Sequence, residues 1–404
     1  MGYTFATSKY YLKFIRTQSH ISMKNIIGSP VSGDNFVDRQ REIKRALLLM
    51  EDGNSFLLLG IRRTGKSSLL KEIARIMSKN GWQAILVNCA TCKTTLQFYQ
   101  QLYAAMPKGT RERLRKWIAD AKSIPTRLLD WLTDFLDKAK VGEVELDFHN
   151  NWSAYNTTLE QIVGDFFRKE QRIAIFLDEL PFFFQNLGTS EQSIQEIQSA
   201  LTTLRTWRDD GLPMGIAGSL NIHLQLEHLG ISRKLLSGLN SLPVEPFPNS
   251  VAVDLLTGLA ESKKYDWWTS KISDKLLSLL PDFVPYFIQY GFNAVAAAHC
   301  DTTDKVETVY HNTIVPGLFK DFLYQFDERL VAFDRDQRMI AAGILDTIAR
   351  QGQASLHILQ QDNIFRYDVL MKLLDLEFLT IRGNDEYAFS LNFIQQWWLN
   401  KSGN

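Results

Sequence analysis

The feature that most limits this chain is a short apolar segment, Ser55–Leu59, running straight into Gly60, Ile61, Arg62, Arg63, Thr64, Gly65, Lys66 and Ser67, then into a helix-forming stretch. The pattern is G-x-x-x-x-G-K-[ST]. A triphosphate carries several negative charges and needs converging donors without side-chain bulk. A glycine-bounded loop entering a helix N-terminus supplies them. Backbone N–H groups of residues 62–67 are placed to cradle the α- and β-phosphates. Lys66 is placed to reach the β- and γ-phosphates, Ser67 to set its hydroxyl on Mg2+, and Ser68 to lie by the α-phosphate. With Gln83–Asn88 reading as the next strand, the pattern predicts an α/β fold with a parallel sheet flanked by helices, binding ATP.

A second apolar run, Ile173–Leu177, ends in Asp178 and Glu179. At the carboxyl edge of such a strand, Asp178 is predicted to hold the Mg2+ shell and Glu179 to orient or deprotonate the attacking water. A third strand, Pro213–Ala217, leads to Ser219, a candidate sensor of the γ-phosphate, with Asn221 behind it. The expected catalytic set is Lys66, Asp178, Glu179 and Ser219, with Ser67 and Asp178 on the metal, so the chain reads as a Mg-dependent ATPase. Charge on a transferring phosphoryl group also calls for an arginine. Arg62, Arg63, Arg205, Arg208 and Arg233 are all candidates, and the residues do not choose among them.

The chain has 404 residues, too many for one ordinary core, so two or three domains are expected. Lys plus Arg equals Asp plus Glu at 45 each, which excludes a global positive field but not a local basic patch. Cys89, Cys92 and Cys300 form no disulfide framework, and Cys89 with Cys92 lacks a second ligand pair for zinc. No apolar run approaches the ~20 residues of a membrane span. The expected setting is cytoplasmic, without a membrane partner.

Residues 1–27 read as an arm and 28–248 as the ATPase domain, with a helical insertion at about 94–150 that ends in an alternating, strand-like Val141–Phe148. The fifth strand is expected at Leu242–Pro246. Residues 249–332 read as helical, and 333–404 as helices followed by a hairpin at Phe378–Ser390, the pattern of a winged helix. Trp397 and Trp398 fit an interdomain core or a partner surface.

Several segments together resemble the STAND-type P-loop ATPases of bacteria and archaea (MNS-like), close relatives of AAA+ proteins. They are Pro30–Ile43, the arginine-containing loop Leu59–Leu70, Leu177–Phe182, Ala217–Ser219 and Pro285–Gln289. The resemblance implies that Phe36, Val37 and Arg39 lie near the adenine and ribose, that the helical region forms a lid, and that a winged helix follows. It implies a nucleotide-driven switch that self-associates or engages a protein effector. The alternative is a DNA-binding ATPase, similar in layout to origin-recognition and transposition-associated ATPases. Its C-terminal phosphate face would use Arg335, Arg338, Arg350, His357, Arg366, Lys372 and Arg382, although acidic residues outnumber these bases there.

Overall fold

The computed structural model describes residues 23–120, 126–138, 146–218, 222–383 and 385–403. Five strands, β1 (Ser55–Leu59), β2 (Gln83–Asn88), β3 (Ile173–Asp178), β4 (Met214–Ile216) and β5 (Leu239–Pro243), form a wholly parallel sheet in the order β2-β3-β4-β1-β5. β1 and β3 are apolar at almost every position because helices cover both faces of such a sheet. The register sets Gly215 of β4 between Phe56 of β1 and Phe176 of β3, and a Cβ there would come within 2.6 Å and 2.9 Å of the two rings. The two phenylalanines fill the space that the glycine leaves, and β1 and β3 end one strand apart, roughly 10 Å.

The fifth strand runs Leu239–Pro243, three residues earlier than its apolar pattern predicts. Pairing with β1 decides the register, and polar Asn240 is tolerated because its side-chain amide donates to the Ser55 carbonyl at 3.1 Å.

Helix α1 (Gln40–Glu51) precedes β1 and α2 (Lys66–Lys79) follows the loop. Between β2 and β3 lie α3 (Thr95–Ala105), α4 (Lys108–Asp120), α5 (Thr126–Lys138) and α6 (Leu146–Lys169). The expected strand at Val141–Phe148 is overturned where it is described: Leu146–Phe148 open α6, and Val141–Glu145 lie outside the described residues. Three alternating residues carry little periodic signal against a helix of 24.

The segment between β2 and β3 shares the core of the sheet. Phe98 of α3 stacks on Phe183 of α7 (Leu180–Leu187) with centroids 5.3 Å apart. Glu160 of α6 accepts from Tyr99 of α3 at 2.8 Å and from Thr203 of α8 (Glu191–Asp209) at 2.9 Å. Burial raises the Glu160 carboxyl above its ordinary range, and the two hydroxyl donors oppose that rise. A short helix α9 (Ile222–His228) leads to β5.

The chain divides into two compact units, one of Arg39–Glu245, Ala332–Ser390 and Ile394–Asn404, the other of the residues up to Asp38, Pro246–Val331 and Leu391–Phe393. The second unit contains α10 (Asn249–Lys263), α11 (Ser270–Leu279), α12 (Pro285–Ala297) and a run comprising α13 (Thr303–Val309), α14 (Val315–Leu318) and α15 (Tyr324–Leu330). Two π turns, Tyr310–Ile314 and Phe319–Leu323, join these three pieces, and Gly317 lies where any side chain would strike the Tyr290 ring.

In the first unit, the C-terminal segment places α16 (Arg335–Gln351), β6 (Gln353–Ser355), α17 (Leu356–Leu359) and α18 (Tyr367–Asp375) before the hairpin β7 (Leu379–Arg382) and β8 (Glu386–Phe389). The strands form an antiparallel sheet in the order β6-β8-β7. A capping box starts α16, with Asp334 accepting from the Gln337 N–H at 2.8 Å and Gln337 accepting from the Asp334 N–H at 3.3 Å. Trp397 and Trp398 are buried, and Trp398 donates to Asp346 at 2.7 Å, so this pair holds the module together and offers no surface.

Candidate nucleotide site

Leaving β1, the chain enters Gly60 with φ 144°, a conformation that L side chains rarely adopt. A Cβ on Gly60 would lie 2.5 Å from the Val244 carbonyl, and the Val244 N–H donates to Leu59 at 2.7 Å, so the loop begins pressed against the chain that follows β5. Gly60→Ala is therefore expected to destabilise the fold by about 2–4 kcal/mol, combining backbone strain with a clash against main chain. Chemical denaturation measures this, and a loss below about 1 kcal/mol would contradict the close approach.

Arg63 (φ 74°) and Gly65 (φ 97°) also take left-handed backbone, which closes the loop onto the first turn of α2. Thr64 and Lys66 are buried, and Arg62 is exposed. The Thr64 hydroxyl donates to the Ile61 carbonyl at 2.8 Å, and the Lys66 ammonium donates to the carbonyls of Gly60 and of Ile61, the latter at 2.9 Å. Arg39, 5% exposed at the start of α1, donates from Nη2 to the Thr64 carbonyl at 3.0 Å and pairs through Nη1 with Glu42 at 3.3 Å.

The second cluster meets the first across the sheet. Ser67 Oγ donates to Asp178 Oδ1 at 2.9 Å, joining residues 111 positions apart. Burial pushes the Asp178 carboxyl up to about 6, with the Glu179 charge adding to the rise, and Ser67 and Lys66 opposing it. Glu179 follows with φ 55°, left-handed for a non-glycine residue, at the N-terminus of α7. Two main-chain bonds tie this corner to the end of β4: Ala217 N–H donates to Leu177 at 2.9 Å and Leu180 N–H to Ala217 at 3.3 Å. Ser219 and Asn221, two and four residues further on, lie outside the described residues.

Of the arginine candidates, Arg208 donates to the carbonyls of Leu235 (2.8 Å) and Ser237 (3.3 Å), and Arg205 to that of Lys234 (3.1 Å). Both brace the turn before β5. Arg233 pairs with Glu227 and, at 3.2 Å, with Asp375 of α18. Phe36 and Val37 belong to the second unit, where Phe36 is buried and its N–H closes a turn onto Gly33 at 2.9 Å.

Two contacts carry no signal in the sequence. One is the Arg39 bond to Thr64. The other is Asn186 of α7, which donates to the carbonyls of Ala90 (2.9 Å) and Cys92 (3.0 Å) and fixes the turn after β2 beside the carboxylates.

A glycine-bounded loop between β1 and α2, facing an acidic strand end across a parallel sheet in this order, defines a P-loop ATPase fold. Residues 35–206 match the AAA ATPase domain family. The chain is similar to a Walker-type ATPase of Pyrococcus abyssi at 15% identity and a TM-score of 0.60, covering 93% of this chain and 99% of that one. It is similar, more loosely, to the ORC2 protein of Aeropyrum pernix in its ADPNP-ADP complexes, at 13% identity and a TM-score of 0.49 over 92% of this chain and 98% of that one. At 15% identity the likeness to the Pyrococcus abyssi protein shows the fold alone. No curated protein matches the chain. Among the described residues no helix is long and apolar enough to cross a membrane.

Proposed function

We propose that the chain is a Mg-dependent, ATP-hydrolysing switch of the STAND type, whose nucleotide state sets its conformation or self-association and so its engagement of a protein effector in the cytoplasm. The observation that carries this reading is the Ser67–Asp178 bond of 2.9 Å at the mouth of the sheet. Two hard oxygens from the loop and the neighbouring strand end fit Mg2+, which takes one or two protein oxygens and fills its octahedron with phosphate and water. Among the described residues no group of three or more His, Cys, Asp or Glu side chains could hold a metal ion by itself. Ser67 and Asp178 would hold Mg2+, which when bound would supply positive charge against that of the phosphates.

The residues divide the remaining work. Gly60, Arg62, Arg63, Thr64, Gly65 and Ser68 shape the cradle with their backbone. Lys66 exchanges loop carbonyls for β- and γ-phosphate oxygens. Glu179, held at a sharp corner beyond the metal-side carboxylate, orients the attacking water, and Ser219 is the residue that senses the γ-phosphate. Phe36 and Val37 are the base-side residues, with 249–332 as a lid.

The order of helix, strand, two helices and hairpin supports a winged helix in 333–404. Its bases favour a protein effector over a duplex. Arg366 forks onto Asp368 at 2.6 and 3.0 Å, and Lys372 donates to Ala332 at 2.6 Å and Gln337 at 3.2 Å. Arg338 donates to the Phe333 carbonyl at 3.0 Å, and Arg382 to that of Phe389 at 3.4 Å.

Titration calorimetry tests the reading. Mg-ATP is expected to bind the wild-type chain, and Lys66→Ala to weaken binding by about 100-fold or more, the cost of leaving phosphate charge without its ammonium partner. Equal binding by the two proteins would remove the assignment. A salt-sensitive gel shift on duplex DNA, lost when Arg366 and Lys372 are replaced, would transfer the C-terminal role to nucleic acid.

A further inference from the structure

We propose that Arg39 is a positioning residue of the phosphate loop, holding the peptide planes that turn N–H groups into the cradle, and is not a contact to the base or ribose. The inference rests on reading Gly60–Ser67 as that cradle. A loop that gathers a polyanion with its N–H groups must point its carbonyls the other way, and outward carbonyls that are buried need donors of their own. Around this loop the donors are identifiable. The Thr64 hydroxyl and the Lys66 ammonium serve the Ile61 carbonyl, and Lys66 also serves that of Gly60. The Thr64 carbonyl takes the Arg39 guanidinium at 3.0 Å.

That last bond has a geometric consequence. The peptide between Thr64 and Gly65 is planar and trans, so its C=O and N–H point in opposite directions. Fixing the Thr64 carbonyl toward Arg39 aims the Gly65 N–H away from Arg39, the direction that the cradle reading gives to phosphate. Gly65, at φ 97° and without a side chain, would otherwise let this peptide rotate cheaply. Lys66 must leave its carbonyls to reach phosphate, whereas Arg39 keeps its bond throughout.

The neighbourhood of Arg39 is built to hold it there. Asp38 and Arg39 are consecutive left-handed residues, φ 55° and 69°, a sharp corner that non-glycine chains keep only when their surroundings demand it. Glu42, one turn into α1, meets Nη1 at 3.3 Å, so the planar guanidinium is gripped by a carboxylate on one arm while the other reaches Thr64. The side chain is 6% exposed. A lysine donates from a single nitrogen and lacks the planar fork whose separate arms meet Glu42 and Thr64.

Calorimetry with two probes, Mg-ATP and Mg-tripolyphosphate, separates the possibilities because only one probe carries a base and a ribose. Arg39→Gln is expected to weaken both by the same factor, about 10- to 100-fold, the effect of removing a charge-assisted bond from a buried carbonyl. Arg39→Lys should recover part of the loss for both probes. Glu42→Gln, at a half-buried position that tolerates replacement, should cause a smaller loss that is again equal for both, which keeps the test decisive if Arg39→Gln fails to fold. Weakened ATP binding with unchanged tripolyphosphate binding would overturn the proposal in favour of a base or ribose contact. Unchanged binding of both probes by the variants would also overturn it. A wild-type chain that binds neither probe would instead overturn the cradle reading on which the proposal stands.

Discussion

Glu179→Gln is expected to leave Mg-ATP binding within a few-fold of wild type while lowering turnover by about 100- to 10,000-fold, the span over which a positioned base or water-orienting carboxylate contributes. The reasoning is steric as much as electronic. Glu179 sits at φ 55° between β3 and α7, and its backbone position is fixed by the bonds that join Leu177, Ala217 and Leu180. Glutamine keeps the shape and the corner but accepts a proton poorly, so phosphate binding survives and the attack on the γ-phosphate does not. Single-turnover kinetics beside equilibrium binding measures the split. Turnover reduced less than about tenfold would assign the water to another group, and binding lost in parallel would make Glu179 a structural residue.

Asp178→Asn is expected to make the nucleotide-free protein more stable and Mg-dependent nucleotide binding much weaker. Burial raises the folded carboxyl from its ordinary 3.8 to about 6. The folded state therefore holds its proton more tightly than the unfolded chain does, and stability falls as pH rises through that window. Above about pH 6 the full cost is present, on the order of 1–3 kcal/mol for a shift of this size. Asparagine carries no titratable group and still accepts from Ser67 through its carbonyl oxygen. The variant should melt higher than wild type at pH 8, with the gap closing toward pH 4, while the Mg2+-dependent part of ATP affinity is lost. A variant less stable than wild type at pH 8 would mean that the carboxylate contributes more by hydrogen bonding than it loses to burial.

The parts that could be read directly from the sequence were those in which local chemistry and strand periodicity agree. Ser55–Leu59 before the loop and Ile173–Leu177 before Asp178 are apolar on both faces because a covered parallel sheet requires it, and both appear as β1 and β3. The hairpin near Gly383 was likewise carried by turn residues, with Gly383 and Asp385 at φ 53° and 60°. The edge strand β5 was misplaced by three residues because its position depends on pairing with β1, and its own pattern of Leu239, Asn240, Ser241 and Leu242 is only weakly apolar. Trp397 and Trp398 show the same limit. Adjacent aromatic residues announce burial or a surface equally well until Asp346, more than fifty residues away, supplies an acceptor.

Within the site, motif spacing singled out Lys66, Ser67, Asp178 and Glu179 and set Ser67 and Asp178 on one metal, but it did not give the strand order that joins those two. The contact between Ser67 and Asp178 depends on β3 and β1 flanking β4, a matter of strand order. The long-range donors Arg208 and Asn186 act on main-chain carbonyls, and any residue can offer a carbonyl, so such pairs leave no compositional trace.

The helices between β2 and β3 have a consequence of their own. Phe98, Tyr99 and Glu160 interlock with Phe183 and Thr203 on the segments that carry the acidic corner, so this stretch behaves as a buttress and not as cargo. Trimming it to the size of a minimal ATPase would bare the flank against which the Glu179 corner is seated. Whatever this region does besides support, its length is tied to the precision of the chemistry and is not free to drift as a surface loop would.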